Sequence, residues 1–288
     1  MRPHAGLPVM AAACLLVIAG SAPARQQTFT SRVEAVRLDV LVTVNGQPVR
    51  NLTAADFEIR DTGVLQQVDL VSFEKIPLNV VLALDMSDSL TDAGVTDLRQ
   101  AAHGLLDALI PGDRAGLITF SHAVARRSRP SSEVAVVKSA LEAARAEGQT
   151  SLIDASHAAM TMAVSPGARG LVVVFSDGLD TSSWLAPDLV LTTARRSEVV
   201  VYGVAVGRSG GDDFLADLSD VTGGRLLRVR STDALRSTFL RILEEFRHRY
   251  LVSFTPRGVP GAGWHRLQVR VKVRNARVRA RAGYTGGS

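Results

Sequence analysis

The chain is poor in the residues that most often advertise chemistry. Its 288 residues include one cysteine, Cys14, and only six histidines. With a single cysteine no intrachain disulfide supports the fold, although an oxidising compartment is tolerated. Without a histidine-rich ligand set, nothing is arranged to lower the pKa of a metal-bound water. Acids are missing from the last stretch: from Phe246 to the end there are ten Lys and Arg and no Asp or Glu. A long hydrophobic run is missing too. Leu7 to Gly20 is apolar but too short to span a membrane as a helix. With Arg2 and His4 before it and Ala22-Pro23-Ala24 after it, this start has the layout of a secretory signal peptide over residues 1–24. After its removal no transmembrane segment is expected, and the chain is expected to be exported, to the periplasm or beyond the cell. What remains, in a chain that is 46% hydrophobic and 21% charged, is the composition of a globular protein with ample core.

The most informative stretch is Asp85-Met86-Ser87-Asp88-Ser89. It follows Asn79-Val80-Val81-Leu82-Ala83-Leu84, a nearly unbroken apolar run of the kind found in parallel strands covered on both faces. Residues leaving such a strand lie at the carboxyl edge of the sheet, where open α/β folds bind ligands. A carboxylate and two hydroxyls at two-residue spacing are hard oxygen donors suited to Mg²⁺. A polar loop with a helix cap would also account for them. Two later stretches favour the metal. Thr150, in Gly148-Gln149-Thr150-Ser151-Leu152, precedes an apolar helical pattern. Asp177 closes a second apolar run, Leu171-Val172-Val173-Val174.

The order D-x-S-x-S, then T, then D resembles the metal-ion-dependent adhesion site (MIDAS) of the von Willebrand factor A (VWA) domain. The flanks, Leu52-Thr53 and Asp56-Phe57-Glu58 before it and Arg279-Ala280-Arg281-Ala282-Gly283-Tyr284 after it, are similar to those of VWA-related exported proteins of Acidobacteria. The resemblance implies a complete site made by Asp85, Ser87, Ser89, Thr150 and Asp177. It implies Mg²⁺ or Mn²⁺ as the ion and an Asp or Glu carboxylate of a protein partner as its remaining ligand. It also implies an adhesion or scaffold role rather than an enzyme. Asp88 and Asp180 read as solvated loop acids, Asp154 as a surface acid, and His103 and His157 as packed or surface residues.

Around these motifs the chain divides in three. Residues 25–76 have strand rhythm, with Val36, Leu38, Val40 and Val42 alternating, an Asn45-Gly46 hairpin turn, and short strands expected at 49–52, 57–60 and 68–73. Residues 77–248 alternate strand and helix. The predicted fold class is α/β: a doubly wound, mostly parallel six-stranded sheet of order 3-2-1-4-5-6, with Asp85 and Asp177 on neighbouring strands at the switch point. Residues 249–288 return to alternation at Leu267, Val269, Val271 and Val273. Neither terminal segment has enough strands to close a core. They are therefore expected to pair as one small antiparallel β-sandwich-like domain, with the α/β domain inserted between them.

Two other functions fit parts of the sequence. The basic C-terminal strand could bind a polyanion or an envelope surface, although nucleic acid is disfavoured by the lack of a motif, the few aromatics and the exported character. Gly207-Arg208-Ser209-Gly210-Gly211 matches a nucleophile-elbow pattern, with His248 and His265 downstream and Asp213, Asp217 and Asp220 between. A serine hydrolase would need further parallel strands, and the remaining residues read as antiparallel.

Overall fold

The computed structural model describes residues 35–73, 76–207 and 213–287. The segment 1–24 and Ser209 lie outside the described residues.

Five strands come first: β1 (Val36–Val44), β2 (Gln47–Pro48), β3 (Phe57–Asp61), β4 (Val64–Gln66) and β5 (Val68–Ser72). Asn45 and Gly46 both have positive φ, as the two-residue turn between β1 and β2 requires. The expected strand at 49–52 does not form. That segment instead wraps the Tyr250 hydroxyl, which donates to the Val49 carbonyl at 2.9 Å and accepts from the Leu52 amide at 3.1 Å. The side chain satisfies the backbone groups that a ladder would otherwise have used.

The α/β region follows as β6 (Leu78–Asp85), α1 (Asp92–Asp107), β7 (Arg114–Phe120), β8 (Val124–Ser131), α2 (Val134–Glu142), α3 (Leu152–Ala163), β9 (Arg169–Ser176), α4 (Pro187–Arg196), β10 (Val200–Val206), α5 (Asp213–Val221), β11 (Leu226–Val229) and α6 (Leu235–Arg247). The sheet order is β8-β7-β6-β9-β10-β11, which is the expected 3-2-1-4-5-6. All pairs are parallel except β7 with β8. Every residue of β6 and β9 is buried. The reason is visible in β6. Val80, Leu82 and Leu84 pack into one core with residues of α1 and α6, while Val81 and Ala83 pack into the other with residues of α3 and α4. A strand sandwiched in this way has no polar face to reveal its period.

The chain ends with β12 (Tyr250–Phe254), β13 (Gly263–Val271), β14 (Arg277–Arg279) and β15 (Gly283–Gly286). These strands interleave with the first five. One sheet runs β14-β1-β12-β5, with β2 beside β1, and the other runs β15-β13-β3-β4. Val36 lies opposite Phe254, and Ile59 opposite Val269. Leu38, Val40, Val42, Phe57, Ile59, Tyr250, Val252, Phe254 and Leu267 form a shared core between the two sheets. The fold is thus an α/β sheet inserted into an antiparallel sandwich built from both ends of the chain.

The two parts meet at the amino ends of the parallel strands, and arginines make the join. Arg169, which opens β9, forms a buried ion pair with Asp39 of β1, its Nε lying 2.6 Å from Oδ1. Arg249, just past α6 and 1% exposed, donates to the Gly223 carbonyl (2.7 Å), the Tyr202 hydroxyl (2.8 Å) and the Asp39 carbonyl (3.1 Å). Arg281 donates to the Arg195 carbonyl at the end of α4. Arg247 pairs with the buried Asp113, whose other oxygen caps the Leu78 amide. Four of the ten C-terminal cations, counting the Arg279 bond to the Gly224 carbonyl, are therefore engaged inside the molecule. Arg266, Arg270 and Lys272 keep the solvated positions that their alternation implied.

Candidate metal centre

β6 ends at Asp85, and its neighbour β9 ends at Ser176, one residue before Asp177. The two aspartates thus leave the sheet side by side. Asp85 is fully buried. Its Oδ2 accepts the Ser176 hydroxyl at 2.6 Å and its Oδ1 the Ser87 amide at 3.1 Å. The Ser87 and Ser89 hydroxyl oxygens are 2.8 Å apart, and Ser89 donates to Asp177 Oδ1 at 2.7 Å. Thr150 enters from the turn before α3. A β-carbon placed on Gly178 would lie 3.7 Å from its hydroxyl and 3.9 Å from that of Ser89, so these two oxygens flank the same glycine. All five residues expected from the sequence gather at the carboxyl edge.

The backbone around them is held by cross-links between loops. The Asp88 amide donates to the Gly148 carbonyl (3.1 Å), and the Met86 amide to the Phe120 carbonyl (2.7 Å). Gly148 itself has φ +74°, and a side chain there would meet the His122 ring at 2.7 Å. Only glycine lets the chain turn there into Thr150. Thr150 is fixed on both sides of its peptide, its amide donating to the Thr181 hydroxyl (3.0 Å) and its carbonyl accepting the Thr181 and Ser182 amides (2.9 and 3.1 Å).

Burial pushes the Asp85 carboxyl up to about 6, and the charge of Asp177 adds to this, while the bonds from Ser176 and Ser87 oppose it. A buried carboxylate beside a second one is a poor arrangement for the empty protein and a good one for a cation. The donor set supports that reading. Adjacent ligands of an octahedral ion with bonds near 2.1 Å are about 3 Å apart, and the Ser87, Ser89 and Asp177 oxygens are spaced at 2.7–2.8 Å. Among the described residues no cluster of three His, Cys, Asp or Glu forms. This centre draws instead on two acids and three hydroxyls.

The von Willebrand factor type A domain model matches residues 79–241, more than half of the chain. The chain belongs to the VWA domain family. A UPF0353 protein of Mycolicibacterium gilvum is 25% identical over 250 residues, covering 71% of this chain and 73% of its own. Among solved structures, a von Willebrand factor type A protein from Catenulispora acidiphila is similar with TM-score 0.53 at 13% identity, covering 89% of this chain and 75% of that one. Proximal thread matrix protein 1 from the mussel byssus, solved with a zinc-occupied MIDAS motif, gives TM-score 0.53 at 18% identity. It matches 65% of this chain, which spans only 49% of the mussel protein. At these identities the structural likeness speaks for the fold.

Some residues in this VWA domain differ from their sequence reading. Asp154 is not a free surface acid: its two oxygens accept the Trp184 and Leu185 amides at 3.0 and 2.9 Å. Asp180 accepts the Ile153 amide (3.2 Å) and the Ser183 hydroxyl (2.5 Å). Both acids tie the loop after Asp177 to the start of α3. Asp88 is exposed, as expected. Ser176 was missed, although its place one residue before Asp177 could have drawn attention to it. His103 bonds Glu142. His265 is buried against Asp61 in the sandwich, and His248 bonds Arg50 at the end of α6.

Proposed function

We propose that this chain is an exported VWA module that binds a protein partner through a divalent ion. Asp85, Ser87, Ser89, Thr150 and Asp177 hold the ion, completing a MIDAS-type set, and Mg²⁺ or Mn²⁺ suits all-oxygen donors. The ion supplies a Lewis-acidic point of attachment. Ser87, Ser89 and Thr150 are uncharged donors and leave much of its charge available, so the favoured remaining ligand is an Asp or Glu carboxylate of the partner. The buried Asp85 and the bonds of Ser176 fix the geometry. The observation that carries the reading is the chain of oxygens at the carboxyl edge in which Ser89 touches both Ser87 and Asp177. The five residues are two carboxylates and three hydroxyls with no histidine among them, and binding rather than catalysis is proposed. Export rests on residues 1–24. Among the described residues no helix is long and apolar enough to cross a membrane.

The test is calorimetry with Mg²⁺ and Mn²⁺ on the full chain, on Asp85→Ala and on Ser89→Ala. Binding to the native chain that is lost in both folded variants supports the site. Unchanged affinity in either variant removes it. The polyanion reading is weakened by the internal use of Arg247, Arg249, Arg279 and Arg281. Salt-sensitive binding to heparin that persists in chelator would restore it.

A further inference from the structure

Trp184 is 95% exposed. Large aromatic side chains are seldom left this open, because covering one removes more apolar surface from water than covering most other residues. A floppy loop could leave a tryptophan outside merely for lack of anything to pack on. The loop carrying Trp184 is fastened at several points. The amides of Trp184 and Leu185 are held by the two oxygens of Asp154, Ser183 accepts the Ile153 and Asp154 amides at 3.1 Å, and the Thr181 and Ser182 amides are held by the Thr150 carbonyl. The ring is therefore presented to solvent on a fixed backbone. Leu179 in the same loop and Leu189 in the first turn of α4 are 51% and 56% exposed. Three exposed large apolar side chains thus fall in the eleven residues that follow Gly178. Thr150 connects this segment to the metal centre, since the peptide group carrying the proposed ligand bonds the loop through both its amide and its carbonyl.

We infer that Trp184 is the apolar anchor of the partner-binding surface, and that the partner presents its Asp or Glu with a large apolar residue next to it. The inference rests on the metal-carboxylate reading above and adds specificity to it. An ion alone accepts any accessible carboxylate. A rigid aromatic in a loop fastened to Thr150 selects those with apolar neighbours, and aromatic anchors on fixed backbones are where binding energy concentrates in interfaces. Asp154, Asp180 and Ser183 are then positioning residues that hold the anchor at a set place relative to Thr150.

The experiment uses the full chain with Mg²⁺ and two capped peptides displayed on a sensor surface, one with Asp between two leucines and one with Asp between two glycines. The leucine-flanked peptide is expected to bind about tenfold or more tighter to the native chain. In Trp184→Ala the two peptides bind alike, and Trp184→Phe restores most of the preference. A second readout uses Trp264→Phe, which leaves Trp184 as the sole tryptophan. Its emission shifts to the blue when the leucine-flanked peptide is added and returns in chelator. A preference that survives Trp184→Ala overturns the anchor and leaves the metal reading standing. A blue shift that ignores chelator keeps the anchor and sinks the metal reading. The absence of both the preference and the shift in the native chain overturns the inference outright.

Discussion

The two ends of the parallel sheet are built from opposite materials. At the carboxyl end, Asp85, Asp177, Ser87, Ser89 and Thr150 crowd acids and hydroxyls together, and one carboxyl is pushed up to about 6. At the amino end, Arg169, Arg249 and Arg281 are buried among carbonyls, a tyrosine hydroxyl and one aspartate. Polar groups are buried at both ends, with different consequences. The arginines satisfy acceptors that would otherwise be orphaned, so they stabilise the join. Burial of Asp85, with the charge of Asp177 adding to it, makes ionising that carboxyl unfavourable. One end holds the molecule together, and the other carries a buried acid at a cost in stability, as the proposed binding site requires.

The largest expected effect tests the amino end. Deleting residues 266–288 removes the β13 residues that pair with β3, leaving it only the short β4, and the β14 pairing of β1. Amide protection at residues 57–61 and 41–43 is expected to collapse to that of an unfolded segment in hydrogen exchange. Full protection at residues 57–61 after the deletion would show that the N-terminal strands do not depend on the C-terminal ones.

A point change at the same end comes next. Arg249→Ala leaves the Tyr202 hydroxyl and the Gly223 and Asp39 carbonyls without their donor and opens a void beside Phe246. A loss of about 3 kcal/mol in urea unfolding is expected. Mg²⁺ titration of the same variant sharpens the contrast. β9 carries Arg169 at its start and runs into Asp177 at its end. An affinity that falls along with stability would show the two ends coupled through that strand, whereas an unchanged affinity would show them independent.

The smallest effect has the opposite sign. A folded-state pKa raised from 3.8 to about 6 means that ionising Asp85 opposes folding. The metal-free protein therefore loses stability as pH rises from about 4 through 6, and the loss is complete above that. Asp85→Asn should raise the stability of the metal-free chain at pH 7 by about 1 kcal/mol or more, read as a higher urea midpoint, while abolishing Mg²⁺ binding. A lower midpoint would mean that this carboxylate stabilises the apo fold. In the native chain, Mg²⁺ affinity is expected to fall below pH 6 by up to about tenfold per unit, as a proton competes for that group.

Legibility in the sequence followed burial. β6 and β9 were plain because a strand covered on both faces is an unbroken apolar run, and the candidate site gathers just after such runs. β8 was not located. It is the antiparallel edge strand, and Val124–Ser131 carries Arg126, Arg127 and Arg129 where an inner strand would carry aliphatics. The roles of Asp154 and Asp180 depend on bonds to a loop about thirty residues away, and such bonds leave no local pattern. Arg249 read as part of a basic tail. Nothing nearby in the sequence says that its guanidinium is enclosed by Tyr202, Gly223 and Asp39.

The interleaving of the two termini also sets the order in which the molecule can be made. The strands of the VWA sheet all pair within residues 78–229, and that part can close as soon as it is synthesised. β1 cannot do so, because Val36 waits for Phe254. At about 5–20 residues per second, the intervening stretch of roughly two hundred residues takes on the order of 10–40 s to appear. Throughout that interval Leu38 and Val40 sit on a strand whose hairpin partner β2 covers just Thr43 and Val44, and such an open edge is the condition under which chains pair with the wrong partner. High-level production of this protein is therefore expected to be limited by aggregation of nascent chains, and a holding chaperone that covers the N-terminal strands should raise the soluble yield.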